Sequence, residues 1–335
     1  MYPTFRFPAA RPAVPAVLAL IAFLVVAACG GQTGPTADPS APAPSVSVVP
    51  SVTPTPTSPA FPLELIDDEG TAVAIPAKPT RIVSLTPAAT EILFSIGAAA
   101  RLVARVEDVA LFPPEAEPLP VVATYEGVDI ERIVALDADL VVAGGNGFTP
   151  PDAIAKLREV GVAVIVLYAG SIEAALADIE LLGRAVGAAD EAADLASALR
   201  TELDGLTALV VDAPKPRVFY EIDAYDAIYT PAADSVYAEM LRRAGADPIL
   251  TDASFVIALE ELVAADPELI LLGDAAYGVT ADQVAARAGW AGLTAVRDGA
   301  IVTIDDILVT RPGPRLVDGL RALIAAIHPE IELPG

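Results

Sequence analysis

The sequence predicts an α/β protein of two similar lobes, each a mainly parallel sheet flanked by helices, with one long α-helix joining them. Three observations predict it. Short apolar runs alternate with segments of helical period from Arg81 to Ile327, the pattern of βα units whose sheet is covered on both faces. The text also repeats: laying 129–145 on 258–274 without a gap matches Glu131 with Glu260, Val134 with Val263, Ala135 with Ala264, Asp137 with Asp266, Leu140 with Leu269 and Gly144 with Gly273. Finally, 172–211 shows helical period alone, broken at Val186-Gly187-Ala188 and running on through Leu195, Leu199, Leu203, Leu206 and Leu209. A helix of ~20 residues spans ~30 Å, about one domain diameter, which suits a bridge between lobes.

The elements follow in order. Two alternating segments flank Asp68-Glu69-Gly70, a hairpin signal, ahead of a strand at 81–85. Thr86 is a good N-cap and Pro87 fits the first helical position; Ile92, Leu93 and Ile96 form the apolar face and Gly97 closes the helix. Strands are expected at 102–106, 120–123, 140–143 and 163–167, with helices after Asp129 and at 152–159. Past the DAPKP turn at 212–216 come strands at 217–222, 268–272 and 300–304, and helices at 235–244, 281–288 and 314–327. A second parallel sets TEILFSIGA, ending at Ala98, on YAEMLRRAGA, ending at Ala246, with Glu91 on Glu239. The two repeats have different offsets, so the N-terminal lobe has extra length between its motifs, and that length contains Arg105 and Tyr125.

Ahead of the lobes, 16–28 reads AVLALIAFLVVAA and runs into Cys29. Thirteen residues make a helix of ~20 Å, short of a ~30 Å hydrocarbon core, so this is a signal-peptide apolar region. The V-A-A-C at 26–29 resembles the lipobox of bacterial lipoproteins, which implies acylation of Cys29, the chain's single cysteine. The expected division is a lipoprotein signal peptide at 1–28, then the acylated Cys29 with a Pro/Ser/Thr-rich disordered tether to 61. The N-terminal lobe follows at 62–188, the bridging helix at 189–212 and the C-terminal lobe at 213–335.

Net charge is −25, with 45 acidic residues against 20 basic. Such a surface repels phosphate backbones, so nucleic acid is not an expected partner. One cysteine and one histidine exclude a disulfide framework, a multi-thiolate or His-rich metal site, and a Ser-His or Cys-His pair. His328 reads as a capping or surface residue. The G-G-N-G turn at 144–147 matches neither the dinucleotide fingerprint nor the P-loop and reads as a loop lining a cleft. No catalytic residue, no metal ligand and no resident cofactor is expected.

RIVSLTPAATEILFSIGA, LFPPEA at 111–116, TYEGVDIERIVALDADLVVA and LEELVAADPELILL, together with the long helix, closely resemble the solute-binding lipoproteins of bacterial ABC importers for cobalamin, ferric siderophores and haem. The resemblance covers 62–330. It implies the helical-backbone periplasmic-binding fold with ligand held between the lobes, and a monomer lipid-anchored outside the cytoplasmic membrane that presents a metal chelate to a permease. It implies that Glu131 and Glu260, one per lobe, meet permease arginines in a two-point clamp. It places Tyr125 where the cobalamin binder has an aromatic facing the corrin, with Tyr229 and Phe255 as further aromatic contacts; Asn146 joins the candidates from the Gly-rich loop read above as lining a cleft. Arg105 and Arg311 are the cationic candidates for anionic groups, and Tyr125 could ligate haem iron as a phenolate. Cobalamin or a related corrinoid is the first expectation, ferric siderophore or haem the next. The other classes are a surface receptor or adhesion module without a transporter, and an enzyme acting on a cofactor-like molecule in the same cleft.

Overall fold

The computed structural model describes residues 61–334. The expected leader, Cys29 and the tether as far as residue 60 lie outside the described residues. The chain starts with an antiparallel hairpin, β1 (Leu63–Ile66) and β2 (Ala72–Ile75). The buried Asp67 closes its turn by accepting the N–H groups of Glu69 and Thr71.

The N-terminal lobe continues with β3 (Ile82–Ser84), α1 (Pro87–Ser95), β4 (Leu102–Val106), β5 (Val121–Thr124), β6 (Gly127–Val128), α2 (Ile130–Ala135), β7 (Leu140–Gly144), α3 (Pro151–Glu159) and β8 (Ala163–Leu167). Their sheet has the order β6-β5-β4-β3-β7-β8, parallel except where β6 returns beside β5. Two helices come next, α4 (Ile172–Val186) and α5 (Ala189–Leu209). The C-terminal lobe holds β9 (Arg217–Glu221), β10 (Ile228–Tyr229), α6 (Val236–Arg243), β11 (Asp247–Pro248), β12 (Val256–Ile257), α7 (Leu259–Ala265), β13 (Leu269–Leu272), α8 (Ala281–Ala285), α9 (Thr294–Arg297), β14 (Ile301–Thr303), α10 (Asp306–Thr310) and α11 (Leu316–Ile327). Its parallel sheet has the order β11-β9-β13-β14.

The order β4-β3-β7-β8 in one lobe is therefore β11-β9-β13-β14 in the other. The extra N-terminal length resolves as β5 and β6, added outside β4. Local chemistry explains the entries and exits. Thr86 Oγ1 accepts the Ala89 N–H at the start of α1, Pro87 sits in its first turn, and Gly97 takes φ +73° just after its end. Gly187, at φ +65°, ends α4. The chain reverses so tightly there that a Cβ on Gly183 would lie 2.2 Å from Ala192 Cβ.

The expected bridge is α5, 21 residues long, packed on α4 and on α11. One apolar core runs through both lobes, from Leu93 of α1 and Leu140 of β7 through Leu182 of α4 and Leu203 of α5 to Leu271 of β13 and Leu320 of α11. Each lobe keeps a second core on its far face: Ile133 of α2 packs into the N-terminal one, Leu262 of α7 and Trp290 into the C-terminal one. Relative movement of the lobes must bend a shared interior rather than open a loose linker. Shorter elements escape the sequence pattern: β10, β11 and β12 have two residues each, and α9 and α10 only four and five. His328 does stand at the C-cap of α11, but it is buried rather than on the surface, with Nε2 lacking a partner among the described residues.

Candidate functional site

In each sheet the first strand, β3 or β9, has its sequence successors on opposite sides, so loops leaving the carboxyl ends of neighbouring strands part there and leave a crevice. The large exposed aromatics collect on those carboxyl-end loops. Tyr125 follows β5 and is 82% exposed; Phe148 and Tyr168 follow β7 and β8; Tyr225 follows β9 and is 92% exposed; Tyr277 follows β13. Of these, only Tyr125 was legible as a site residue. The signal for the others was available: an aromatic within a few residues of a strand's carboxyl end has no apolar face of its own element to cover.

Of the other expected ligand contacts, Asn146 and Phe255 fall on the same set of loops and Tyr229 lies in β10 beside them. Asn146 is exposed, adopts φ +53° and donates from Nδ2 to Tyr168 Oη at 3.3 Å. Tyr229 is half-buried in β10 and its phenol donates to Asp226 at 3.2 Å. Phe255, at φ +60°, precedes β12, and its carbonyl accepts the Thr230 N–H. Close approach of backbone shapes the N-terminal side: a Cβ on Gly144 would stand 2.8 Å from Thr86 Cγ2 and 2.9 Å from the Phe148 ring.

The two cationic expectations need correction. Arg105 is only 8% exposed, and its guanidinium is spent on main-chain carbonyls, Nε on Ala116 at 3.0 Å and Nη1 on Val106 at 2.9 Å. It pins the 107–116 loop instead of facing a ligand anion. Arg311, with an 11% exposed side chain, joins the lobes: it donates to Glu91 at 2.7 Å and bidentately to Asp108 at 2.8 and 3.0 Å. Arg315 also grips Glu91, at 2.7 and 3.0 Å, and lies 4.3 Å over the Phe112 ring. Two arginines thus meet two carboxylates in a charge-balanced interior cluster, and pulling one member away would strand a buried charge. Because Asp108 follows β4 and Arg311 follows α10, this cluster shows the carboxyl ends of the two sheets converging.

A different charge arrangement lies under the aromatic loops of the C-terminal lobe. Glu221, at the end of β9, is fully buried and accepts both Nη atoms of Arg287, one at 2.8 Å. Asp274, just past β13, lies beside it, and neither of its oxygens finds a donor among the described residues. Burial, and then the Glu221 carboxylate, push the Asp274 pKa up to about 7. Two buried carboxylates side by side repel as anions, which favours the protonated form of Asp274.

Glu131 and Glu260 stand exposed in the first turns of α2 and α7. Each short helix is anchored by one buried residue, Ile133 or Leu262, and shows one exposed valine, Val134 or Val263. The same lock secures both. Arg81, at the start of the strand, donates from Nε to the Leu136 carbonyl behind α2, while Asp139 accepts the Arg81 N–H at 3.0 Å. Arg217 donates from Nε to the Ala265 carbonyl behind α7 at 3.1 Å, while Glu268 accepts the Arg217 N–H at 2.9 Å. Asp137 and Asp266 follow the two helices, both in the left-handed region at φ +49° and +44°.

Comparison with known proteins agrees with this architecture. A family model described as periplasmic binding protein matches residues 82–308. An ABC transporter substrate-binding lipoprotein of Bacillus subtilis, YvrC, is 30% identical over 277 residues, covering 81% of this chain and 87% of that protein. The crystal structure of the periplasmic vitamin B12 binding protein of Vibrio cholerae superposes with TM-score 0.64 at 26% identity, over 75% of this chain and 97% of the other. That of a periplasmic haem binding protein from Pseudomonas aeruginosa gives TM-score 0.66 at 28% identity, over 77% and 95%. With the duplicated parallel sheets, the helix between them and a family match across both lobes, this chain belongs to the periplasmic binding protein family.

Proposed function

We propose that this protein is the extracytoplasmic solute-binding component of an ABC importer, holding a metal chelate between its lobes and handing it to a permease. The observation that carries this reading is the gathering of Tyr125, Phe148, Tyr168, Tyr225 and Tyr277 on loops at the carboxyl ends of two converging sheets. Aromatic side chains bury large area at little entropy cost, which suits a broad, partly apolar ligand. A corrinoid is the first choice, supported by similarity to vitamin B12 binding proteins; ferric siderophore or haem comes next. The protein binds and releases and does no chemistry. Acylation of Cys29 would tether it to the outer face of the cytoplasmic membrane.

Delivery rests on Glu131 and Glu260. Each is exposed at a fixed station on its own lobe, so the pair reads the separation of the lobes as well as charge. Guanidinium groups on the permease would supply the complement.

The test is visible absorption of residues 62–335 mixed separately with cobalamin, haemin and a ferric siderophore panel, then gel-filtered. A retained corrin spectrum supports the first choice; a retained haem or ferric band replaces it; no colour with any of them removes chelate binding. Docking has its own test. Changing Glu131 and Glu260 together to Ala should leave ligand affinity unaltered and abolish uptake in cells, and uptake that survives would end the clamp.

A further inference from the structure

We infer that the ligand is uncharged or cationic and that the cleft selects against anionic chelates; this rests on the solute-binding reading above. The loops at the carboxyl ends of the parallel strands comprise 85–86, 107–111, 124–126, 145–150, 168–171, 222–227, 249–255, 273–278 and 304–311. Arg311 is the one basic residue they contain. Its charge is consumed by Asp108 and Glu91, and Arg315 answers only Glu91, so turning Arg311 to a ligand carboxylate would leave the buried Asp108 carboxylate unpaired. Arg105 is committed to carbonyls, and Arg287 to Glu221.

Acids are plentiful on the same loops. Glu107, Glu126, Asp223, Asp226, Asp252 and Asp305 are all exposed there. Hydrogen bonds from Ser254 hold the Asp252 carboxyl below its ordinary pKa, and Asp226 accepts the Tyr229 phenol at 3.2 Å. A crevice lined by one sign of charge focuses its field, concentrating cations and repelling anions. The surfaces offered to a ligand are then phenol rings, amide groups such as Asn146, and carboxylates. These suit amide-bearing neutral macrocycles and cationic ferric complexes. They are a poor match for a propionate-bearing porphyrin or a ferric tricatecholate.

Matched pairs test it. Calorimetry on residues 62–335 would compare cyanocobalamin with the same corrinoid carrying one side-chain amide hydrolysed to carboxylate, and a cationic ferric trihydroxamate with an anionic ferric tricatecholate. In whichever pair binds, the neutral or cationic member should bind at least about tenfold more tightly, with the gap narrowing as salt rises from low to 0.5 M. Changing Glu126 to Gln and Asp226 to Asn together should raise affinity for the anionic member severalfold. An anionic member that binds as tightly as its partner overturns the charge selection while leaving the solute-binding reading standing. No binding in either pair, nor by haemin, overturns both.

Discussion

The two lobes share a strand order and a way of locking their exposed glutamates, yet they treat one corner of the sheet in opposite ways. Where the C-terminal lobe has Glu221 and Asp274 at the carboxyl ends of β9 and β13, the equivalent N-terminal positions, next to β3 and β7, are Leu85 and Gly145. Leu85 is buried among apolar side chains and asks nothing more of its surroundings. Glu221 needs Arg287, which in turn lies 4.8 Å from the Trp290 ring. Duplication thus preserved the backbone device and left the charge at its tip free to diverge. Each lobe also reaches for the other from the same place: Glu91 of α1 binds Arg311 and Arg315, and its counterpart Glu239 of α6 accepts the Ile172 N–H at the start of α4 at 2.9 Å.

The largest expected effect breaks the divergent corner. Arg287→Met leaves Glu221 buried and unpaired beside Asp274, and should cost about 3–5 kcal/mol in urea unfolding. Adding Glu221→Leu, which copies the other lobe, should recover most of that loss; no recovery would mean the corner depends on more than charge balance.

The second prediction concerns pH. Burial, and then the Asp68 carboxyl, push the Asp178 pKa up to about 9, and Asp274 shifts the same way to about 7. A raised acid pKa means that the folded chain binds more protons than the unfolded one between the ordinary carboxyl range and the raised value. Stability should therefore fall as pH rises, ending near 7 for Asp274 and near 9 for Asp178. Asp178→Asn should flatten the upper part of that decline and make the protein more stable than wild type at pH 8, on the order of a few kcal/mol. Asp274→Asn should flatten only the lower part. Thermal melts from pH 5 to 9 would decide it, and parallel wild-type and variant curves would refute it.

The smallest effect sharpens the likeness. Arg81→Gln and Arg217→Gln each remove a charged donor from the carbonyls behind a Glu-bearing helix, at about 1.5–3 kcal/mol. Arg217 should be the costlier, because it also holds the Asp266 carbonyl at 2.9 and 3.1 Å and pairs with Glu268 at 3.3 Å. Both variants should weaken uptake more than ligand binding, since they loosen α2 or α7 without touching the aromatic loops.

Most strands and long helices were legible because burial writes a period into the chain: four or five apolar residues for a covered strand, heptad-like spacing for α5. The hairpin at 67–70, the cap at Thr86 and the stop at Gly187 were legible because turn and cap chemistry is local. Tyr125 and the paired Glu131 and Glu260 stood out through repetition and resemblance. Arg105 and Arg311 misled because sequence reports that a charge is present and not what it is bonded to. Their partners lie at Ala116 and Val106 in one case, and at Glu91, some 220 residues away, in the other. Phe148, Tyr168, Tyr225 and Tyr277 carry no repeat or resemblance; their place just past a strand's carboxyl end is legible, but the extent of their exposure depends on neighbours from other strands.

By itself the sequence determined the α/β class, the duplication, the long helix and the acidic surface, since periodicity, internal repeats and charge are properties of the chain read in order. Only the tertiary structure decided which side chains are spent and which are offered. Pairing a guanidinium with a carboxylate, stacking an aromatic or setting two acids side by side depends on distances of a few ångströms between residues far apart in the chain. Among the described residues, Arg105, Arg287 and Arg311 find their partners at that level, which leaves none of the three for a ligand anion.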